Sequence, residues 1–222
     1  MLPRMASVLW LDFEGVVVEP GLTDAIVAEF GRKPSAADGT IEQSLVAAVG
    51  EFDADRDEVI EQVRQLARPL PGLAELVGWA QWHDWLPIVV STALDVCVDT
   101  VLDDGGLDRV TRHCGRTRQV YRWRLSYSSP RGVELEEGFL LSYAATFKSA
   151  GDLVVHVGGA AEGAQAAHSA HATCASGPLR DALGEGGERV YGFETLAEAK
   201  EILDREGEAW RASFSSTTAA GG

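Results

Sequence analysis

The chain has 222 residues, 45% of them hydrophobic and 24% charged, a composition typical of a folded globular domain and not of a disordered, collagen-like or coiled-coil chain. A domain of this length buries about 70% of the surface of its unfolded form, so its core needs neither disulfides nor a structural metal. The 34 acidic side chains outnumber the 19 basic ones and give a formal net charge of −15. Such a charge repels nucleic acid and anionic membranes, so we expect neither as a partner.

The cysteines and the N-terminus indicate an intracellular protein. Cys97, Cys114 and Cys174 are odd in number, far apart and outside any C-x-x-C motif, which favours reduced thiols over disulfides or a zinc site. The apolar run at residues 6–11 is shorter than the core of a secretory leader. No stretch approaches the roughly 20 apolar residues of a membrane span. We expect a cytoplasmic protein with a small-molecule substrate or ligand, and a homodimer is compatible with the sequence.

The first half of the chain contains two buried strands separated by helices. An unbroken apolar run over residues 7–12 predicts a strand buried on both faces. Helical periodicity follows over residues 22–70, where Thr40 and Gln43 match a capping box. A helix over residues 73–82 and a second buried strand over residues 87–91 come next.

The second half continues the alternation of strands and helices. The predicted helices cover residues 94–102, 139–149, 162–171 and 195–206, with a further helix near Leu179. The predicted strands cover residues 110–114, 119–127, 153–157, 172–175 and 189–191, the second of them being a strand or one arm of a hairpin.

This order predicts an α/β fold with a doubly wound, mostly parallel sheet. The helical stretch at residues 21–70 has no strand partner, so we interpret it as an inserted cap on a core formed by residues 1–20 and 71–206. Residues 207–222 are predicted to form a disordered tail. Ligands of such sheets bind beyond the carboxyl ends of the strands. Asp12, Ser91 and the pair Gly158 and Gly159 all follow predicted strands and should meet there.

Three short segments resemble motifs of the haloacid dehalogenase superfamily, in its phosphoserine phosphatase-like branch, which includes the phosphatase of methionine salvage. They are D-F-E-G-V-V at residues 12–17, V-V-S-T at residues 89–92 and V-G-G-A-A-E at residues 157–162. The resemblance extends over residues 7–203 and implies a Rossmannoid core with a helical cap after the first strand. It also implies that Asp12 attacks phosphorus, that Glu14 acts as general acid and base, and that Ser91 or Thr92 binds the phosphoryl group.

The departures from these motifs affect the groups that handle charge. Glu14 replaces the second aspartate of the first motif, and Gly159 stands where the fourth motif has its magnesium-binding aspartate. The lysine of the third motif falls near Leu140, and the nearest lysine, Lys148, lies at the other end of that helix. A phosphoryl group repels an anionic nucleophile unless a cation lies between them. We therefore expect poor classical phosphatase activity and no cofactor, with magnesium kept as an alternative although Gly159 replaces its usual ligand.

The leading hypothesis is an enzyme that acts on a small molecule with little or no magnesium, Asp12 and Glu14 being its nucleophile or its acid and base. One alternative is a catalytically silent binding or regulatory protein. Another is a weak phosphatase that uses Glu162 as a substitute metal ligand.

Six further residues are candidates for substrate binding: Ser91, Thr92, Gly158, Gly159, Arg122 and Arg124. The hydroxyl and glycine positions also suit a helix cap and a tight turn, and the two arginines also suit a solvated strand. His156, His168, His171 and Cys174 form only a weak metal-binding pattern, for which surface histidines are the favoured explanation.

Overall fold

The computed structural model describes residues 6–31, 39–184 and 189–220, which form one eight-stranded sheet flanked by nine α-helices. The strands are β1 (Ser7–Leu11), β2 (Leu86–Leu94), β3 (Thr111–Gln119), β4 (Trp123–Ser128), β5 (Glu134–Leu135), β6 (Leu153–Gly158), β7 (Ala172–Ala175) and β8 (Val190–Gly192). Their order across the sheet is β5-β4-β3-β2-β1-β6-β7-β8. Six neighbouring strands are parallel, namely β3, β2, β1, β6, β7 and β8. At the β3 edge, β4 and β5 add antiparallel pairs. The predicted doubly wound, mostly parallel α/β sheet is confirmed.

The helices cover the sheet and enclose an apolar core. They are α1 (Leu22–Phe30), α2 (Ile41–Val49), α3 (Arg56–Leu66), α4 (Leu73–Trp82), α5 (Asp95–Asp104), α6 (Phe139–Ala150), α7 (Ala164–Ala167), α8 (Gly177–Leu183) and α9 (Leu196–Ala220). Helix α6 packs on β2 and β6, whereas α4 and α9 contact each other, with α4 on β2 and α9 on β6 and β7. The central strands are apolar on both sides, as two-sided burial requires. Within the described chain, no helix combines the length and apolarity that crossing a membrane would take.

The helices α1, α2 and α3 lie between β1 and α4 in the chain, as the sequence predicts. Capping boxes start α2 at Thr40 and Gln43 and α3 at Asp55 and Glu58, which satisfies amide groups that the first helical turn leaves unpaired. Helix α2 packs against β4, and α3 packs against α5. The function of this segment as a cap stays a prediction, and its residues 32–38 lie outside the described residues.

Two predicted segments are wrong. The helix predicted over residues 162–171 is a 3₁₀ turn at Ala161–Gly163 followed only by the four-residue α7, because the chain must turn back at residues 168–171 to enter β7.

The disordered tail predicted over residues 207–222 is wrong as far as Ala220, since α9 continues to that residue. Trp210 is buried and packs edge-on against Tyr191, and this apolar contact holds the helix on the domain. Residues 221–222 lie outside the described residues.

The region around residues 110–127 also differs from its prediction. The short strand predicted over residues 110–114 continues to Gln119 as β3, and β4 begins at Trp123 after a turn. The two strands pair as an antiparallel hairpin in which Thr117 lies opposite Leu125.

Candidate active site

Asp12 lies at the point where the direction of sheet winding changes. The chain goes from β1 to β2 on one side and from β6 to β7 on the other, so β1 and β6 flank the switch point, the usual ligand position in such sheets. Asp12 follows β1 directly, and its backbone N–H donates to the carbonyl of Val157 at 3.0 Å. The residue is 6% exposed, so the sheet itself fixes a nearly buried carboxylate at this edge.

The cavity next to Asp12 has a volume of about 260 Å³. Its lining includes four carboxylates, those of Asp12, Glu14, Asp24 and Glu162, together with the hydroxyl residues Ser91 and Thr92. Apolar side chains complete the wall: Phe13, Ile41, Leu45, Val90, Leu140. Of the described residues that line the cavity, none has a basic side chain. The cavity is therefore strongly electronegative.

His156 is a site residue that sequence reasoning missed, because it was considered only as a weak metal ligand. The side chain is fully buried in β6, and its Nε2 lies 2.8 Å from Asp12 Oδ1. Asp12 Oδ2 and His156 Nδ1 are buried without a hydrogen-bond partner among the described residues. The sequence does contain a signal for this role of His156, namely a lone polar residue inside the apolar run L-V-V-H-V. A histidine in a strand that is buried on both faces needs a polar partner.

Glu14 holds the start of helix α1. Its Oε2 accepts the backbone N–H of Gly21 at 2.7 Å, and its Oε1 accepts that of Thr23 at 2.8 Å. These amides belong to the first turn, where a helix leaves N–H groups unpaired and favours negative charge. Glu14 thus lines the cavity and also connects the end of β1 to the first helix.

Ser91 and Thr92 are near Asp12, as predicted. Ser91 Oγ accepts the backbone N–H of Ala93 at 3.1 Å, and a hydroxyl that accepts one hydrogen bond keeps its own hydrogen for another. Thr92 is 6% exposed, and its carbonyl accepts the buried Tyr127 hydroxyl at 2.7 Å. Burial raises the pKa of Tyr127 well above its usual value, so the phenol stays a donor and fixes this end of β2.

Gly158 and Gly159 allow a close approach of the backbone to the site. A Cβ at Gly158 would lie 2.5 Å from Asp12 Oδ2 and 2.7 Å from His156 Cε1. A Cβ at Gly159 would lie 2.9 Å from the Cα of Gly15. The atoms near Gly159 are backbone, which cannot move aside, so this position requires glycine for packing, whereas a side chain at Gly158 would displace the buried side chains of Asp12 and His156. Their carbonyls accept the N–H groups of Ser176 and Leu179.

The structure does not bring Arg122 and Arg124 to the cavity. Arg122 lines a different depression next to Trp123, and Arg124 is exposed on β4, opposite Arg118. Leu140 lies in the cavity wall, at the place near which the resemblance implies a lysine, while Lys148 lies in the last turn of α6.

Burial and the negative charges of the cavity change the pKa of Glu162. Its pKa is raised, first by the loss of surrounding water and further by the negative charges of Asp12, Glu14 and Asp24. A raised carboxyl pKa is the response expected when like charges share a site without a cation.

Comparisons with known proteins place this site in a known fold. No family model matches the sequence, and no curated protein matches it. A phosphoserine phosphatase structure described as a phospho-aspartyl intermediate analogue is 19% identical, with a TM-score of 0.63 over 91% of this chain and 99% of that chain. A phosphoserine phosphohydrolase-like protein from Francisella tularensis is 14% identical, with a TM-score of 0.63 over 90% and 100% of the two chains. A haloacid dehalogenase-like hydrolase from Streptococcus pneumoniae is 10% identical, with a TM-score of 0.52 over 89% and 98%.

The chain therefore has the fold of the haloacid dehalogenase superfamily in the form found in phosphoserine phosphatases. This likeness confirms the fold that the motif resemblance implied. It contradicts the expectation that the protein has no cofactor, which rested on Gly159. Several of the matching solved structures are phosphoserine phosphatases, and the motif resemblance to their superfamily implies magnesium.

The donors in the cavity fit such an ion. Magnesium is commonly held by one or two carboxylates, with water and substrate oxygens completing its shell. Asp12 has an unpaired buried oxygen, and Glu162 lines the same cavity. Among the described residues, no group of three or more His, Cys, Asp or Glu side chains is arranged to hold a metal, so an ion here would take most of its ligands from water and substrate.

Proposed function

We propose that the protein hydrolyses a phosphate monoester of a small molecule, with Asp12 as the nucleophile. The observation that carries this proposal is a nearly buried carboxylate at the carboxyl end of β1, in the wall of a cavity of about 260 Å³. The shared fold with a phosphoserine phosphatase described as a phospho-aspartyl intermediate analogue supports an aspartate as the group that accepts phosphorus.

In the proposed reaction, a carboxylate oxygen of Asp12 forms a bond to phosphorus while the bond from phosphorus to the ester oxygen breaks. The leaving alcohol takes a proton from Glu14, which lines the same cavity. Water then attacks the phosphorus of the acyl phosphate, Glu14 accepts the proton of that water, and inorganic phosphate leaves Asp12 as a carboxylate. Glu14 must release one of its two backbone amides to do this.

Other groups of the cavity bind and neutralise the substrate. The Ser91 hydroxyl, which keeps its hydrogen, donates to a phosphoryl oxygen. Asp12 and Glu162 are the residues that would hold magnesium, and a bound ion would supply positive charge to the phosphoryl group. The need for a cation is large, because none of the cavity-lining side chains that the structure describes is basic.

A second candidate function is ligand binding without turnover. It is favoured by Glu14, whose two oxygens are both occupied by backbone amides, and by Leu140 in the cavity wall. The two functions differ in one observable, namely whether an acyl phosphate forms on Asp12.

The test is hydrolysis of p-nitrophenyl phosphate by the purified protein, with added magnesium and with chelator. We expect turnover that rises with magnesium, is lost in Asp12→Asn, and is retained in Asp24→Asn, which removes another carboxylate of the same cavity. Borohydride reduction of the trapped acyl phosphate should convert residue 12 to homoserine, detectable by mass spectrometry. Equal turnover in Asp12→Asn and wild type would exclude Asp12 as nucleophile, and absence of turnover in a folded wild type would favour the binding protein.

A further inference from the structure

We propose that His156 is a positioning residue that orients the carboxylate of Asp12 for attack. This inference rests on the function proposed above, because it concerns the same nucleophile. It adds a residue from β6 that lies beneath the cavity and does not line it.

The geometry of the pair is set by the sheet. Strands β1 and β6 are parallel neighbours, with Trp10 opposite His156. The His156 ring is fully buried, and its Nε2 lies 2.8 Å from Asp12 Oδ1. A carboxylate can only accept, so this hydrogen bond requires a hydrogen on Nε2.

The surroundings fix the ring in this orientation. Trp10 meets it edge-on, with ring centroids 5.8 Å apart. A Cβ at Gly158 would lie 2.7 Å from its Cε1, and a Cβ at Gly163 would lie 3.2 Å from the same atom. Backbone without side chains therefore packs closely against the imidazole, and the ring has little room to rotate.

The hydrogen bond distinguishes the two oxygens of Asp12. Oδ1 is occupied by His156, whereas Oδ2 is without a hydrogen-bond partner among the described residues. Oδ2 also lies beside Gly163, which lines the cavity. Because Oδ1 is held by His156 and Oδ2 is buried beside Gly163, the carboxylate of Asp12 has little freedom to rotate, and its orientation at the cavity wall is fixed.

The rest of the cavity provides no other side-chain donor of this strength to Asp12. Its described lining contains carboxylates, hydroxyls and apolar groups, with Leu140 near the place where the resemblance implies a lysine. His156 reaches the nucleophile from the opposite side, through the sheet. A buried hydrogen bond to a charged acceptor is among the stronger ones in proteins.

The first test is kinetic and compares His156→Leu with His156→Gln. Leucine removes the donor, and we expect kcat to fall by about tenfold to a hundredfold with little change in KM, as for other groups that orient a reacting ligand. Glutamine can place an amide nitrogen near the position of Nε2 and should restore kcat to within a few-fold of wild type. His113→Leu, which changes a half-buried histidine on β3, serves as the control and should retain wild-type kcat. Wild-type kcat in His156→Leu, or equal loss in both His156 variants, would overturn the inference.

The second test does not depend on turnover. Nitrogen-15 NMR of the imidazoles should show a hydrogen on His156 Nε2, and Asp12→Asn should shift that signal most among the five histidines. A ring with its only hydrogen on Nδ1 would overturn the inference even if His156→Leu fails to fold. Failure of the proposed function would appear differently, as absence of hydrolysis by the wild type.

Discussion

The backbones of Gly15 and Gly159 touch, and this contact joins the turn after β1 to the turn after β6. A Cβ built on Gly15 would lie 2.8 Å from the Cα of Gly159, and one built on Gly159 would lie 2.9 Å from the Cα and 3.0 Å from the carbonyl oxygen of Gly15. Gly15 also has a φ of +83°, a conformation that side chains disfavour. The site is therefore closed by two glycines that leave no space for a side chain.

This contact predicts that an aspartate at position 159, where the motif resemblance implies a magnesium ligand, cannot be accommodated without strain. Gly159→Asp and Gly159→Ala should each lower the free energy of unfolding by about 1–3 kcal/mol, the usual cost of overpacking, and neither should increase magnesium-stimulated hydrolysis. Denaturant unfolding measures the first effect. Gly78→Ala is the matched control, because it lies in α4 with open space around its Cβ position and should be neutral or stabilising. Higher activity in a fully stable Gly159→Asp would contradict the prediction.

Glu14 is expected to stabilise helix α1 in addition to any chemical role. Glu14→Ala leaves the N–H groups of Gly21 and Thr23 without their acceptor, and should lower the free energy of unfolding by about 1–2 kcal/mol, as the loss of a helix cap does. Hydrogen exchange should speed up at the first turn of α1. Glu29→Gln removes an exposed charge from the last turn of the same helix. It should change neither the free energy of unfolding nor the exchange rates in the first turn. Unchanged exchange at Thr23 in Glu14→Ala would argue against the capping role.

The sequence predicts the strands that carry the site and the residues at their ends. Buried parallel strands are apolar runs, and this pattern identifies β1, β2 and β6. Asp12 directly follows β1 as predicted, whereas β2 continues past Ser91 to Leu94. It cannot predict that His156 reaches Asp12, because that contact depends on the register between β1 and β6. It also cannot place Arg122 and Arg124, because a hairpin shows the same alternation whichever face meets the cavity. The wrong helix over residues 162–171 has the same origin, since alanine content favours a helix but tertiary structure requires a turn.

The three cysteines should be unreactive in the folded protein. Burial raises the pKa of Cys114 and of Cys174 to about 12, and raises that of Cys97 still further, with the charge of Glu14 as the next contribution. The reactive form of a thiol is the thiolate. At about pH 8, close to the pKa of an ordinary thiol, these three raised pKa values keep the thiols protonated. Ellman's reagent should therefore titrate no thiol in native buffer and three in guanidinium chloride. Rapid reaction of one thiol in the native protein would contradict this.

A lysine at the position of Leu140 should improve the handling of phosphate. Leu140 is 9% exposed and lines the cavity, whose four carboxylates repel a phosphate dianion. Leu140→Lys would place a cation among them. We expect kcat/KM for p-nitrophenyl phosphate to rise by roughly tenfold, a modest part of what a well-placed electrostatic group contributes.

The adjacent residue provides the control for this change. Leu141 is 42% exposed and is not part of the cavity wall, so Leu141→Lys adds the same charge to the protein without adding it to the site. A rise in kcat/KM confined to Leu140→Lys would show that local charge in the cavity limits phosphate binding. An equal rise in both variants would assign the effect to the net charge of −15, which repels an anionic substrate at a distance. A lower kcat/KM in a normally folded Leu140→Lys would mean that the substrate binds the apolar wall at Leu140 and that a missing cation does not limit activity.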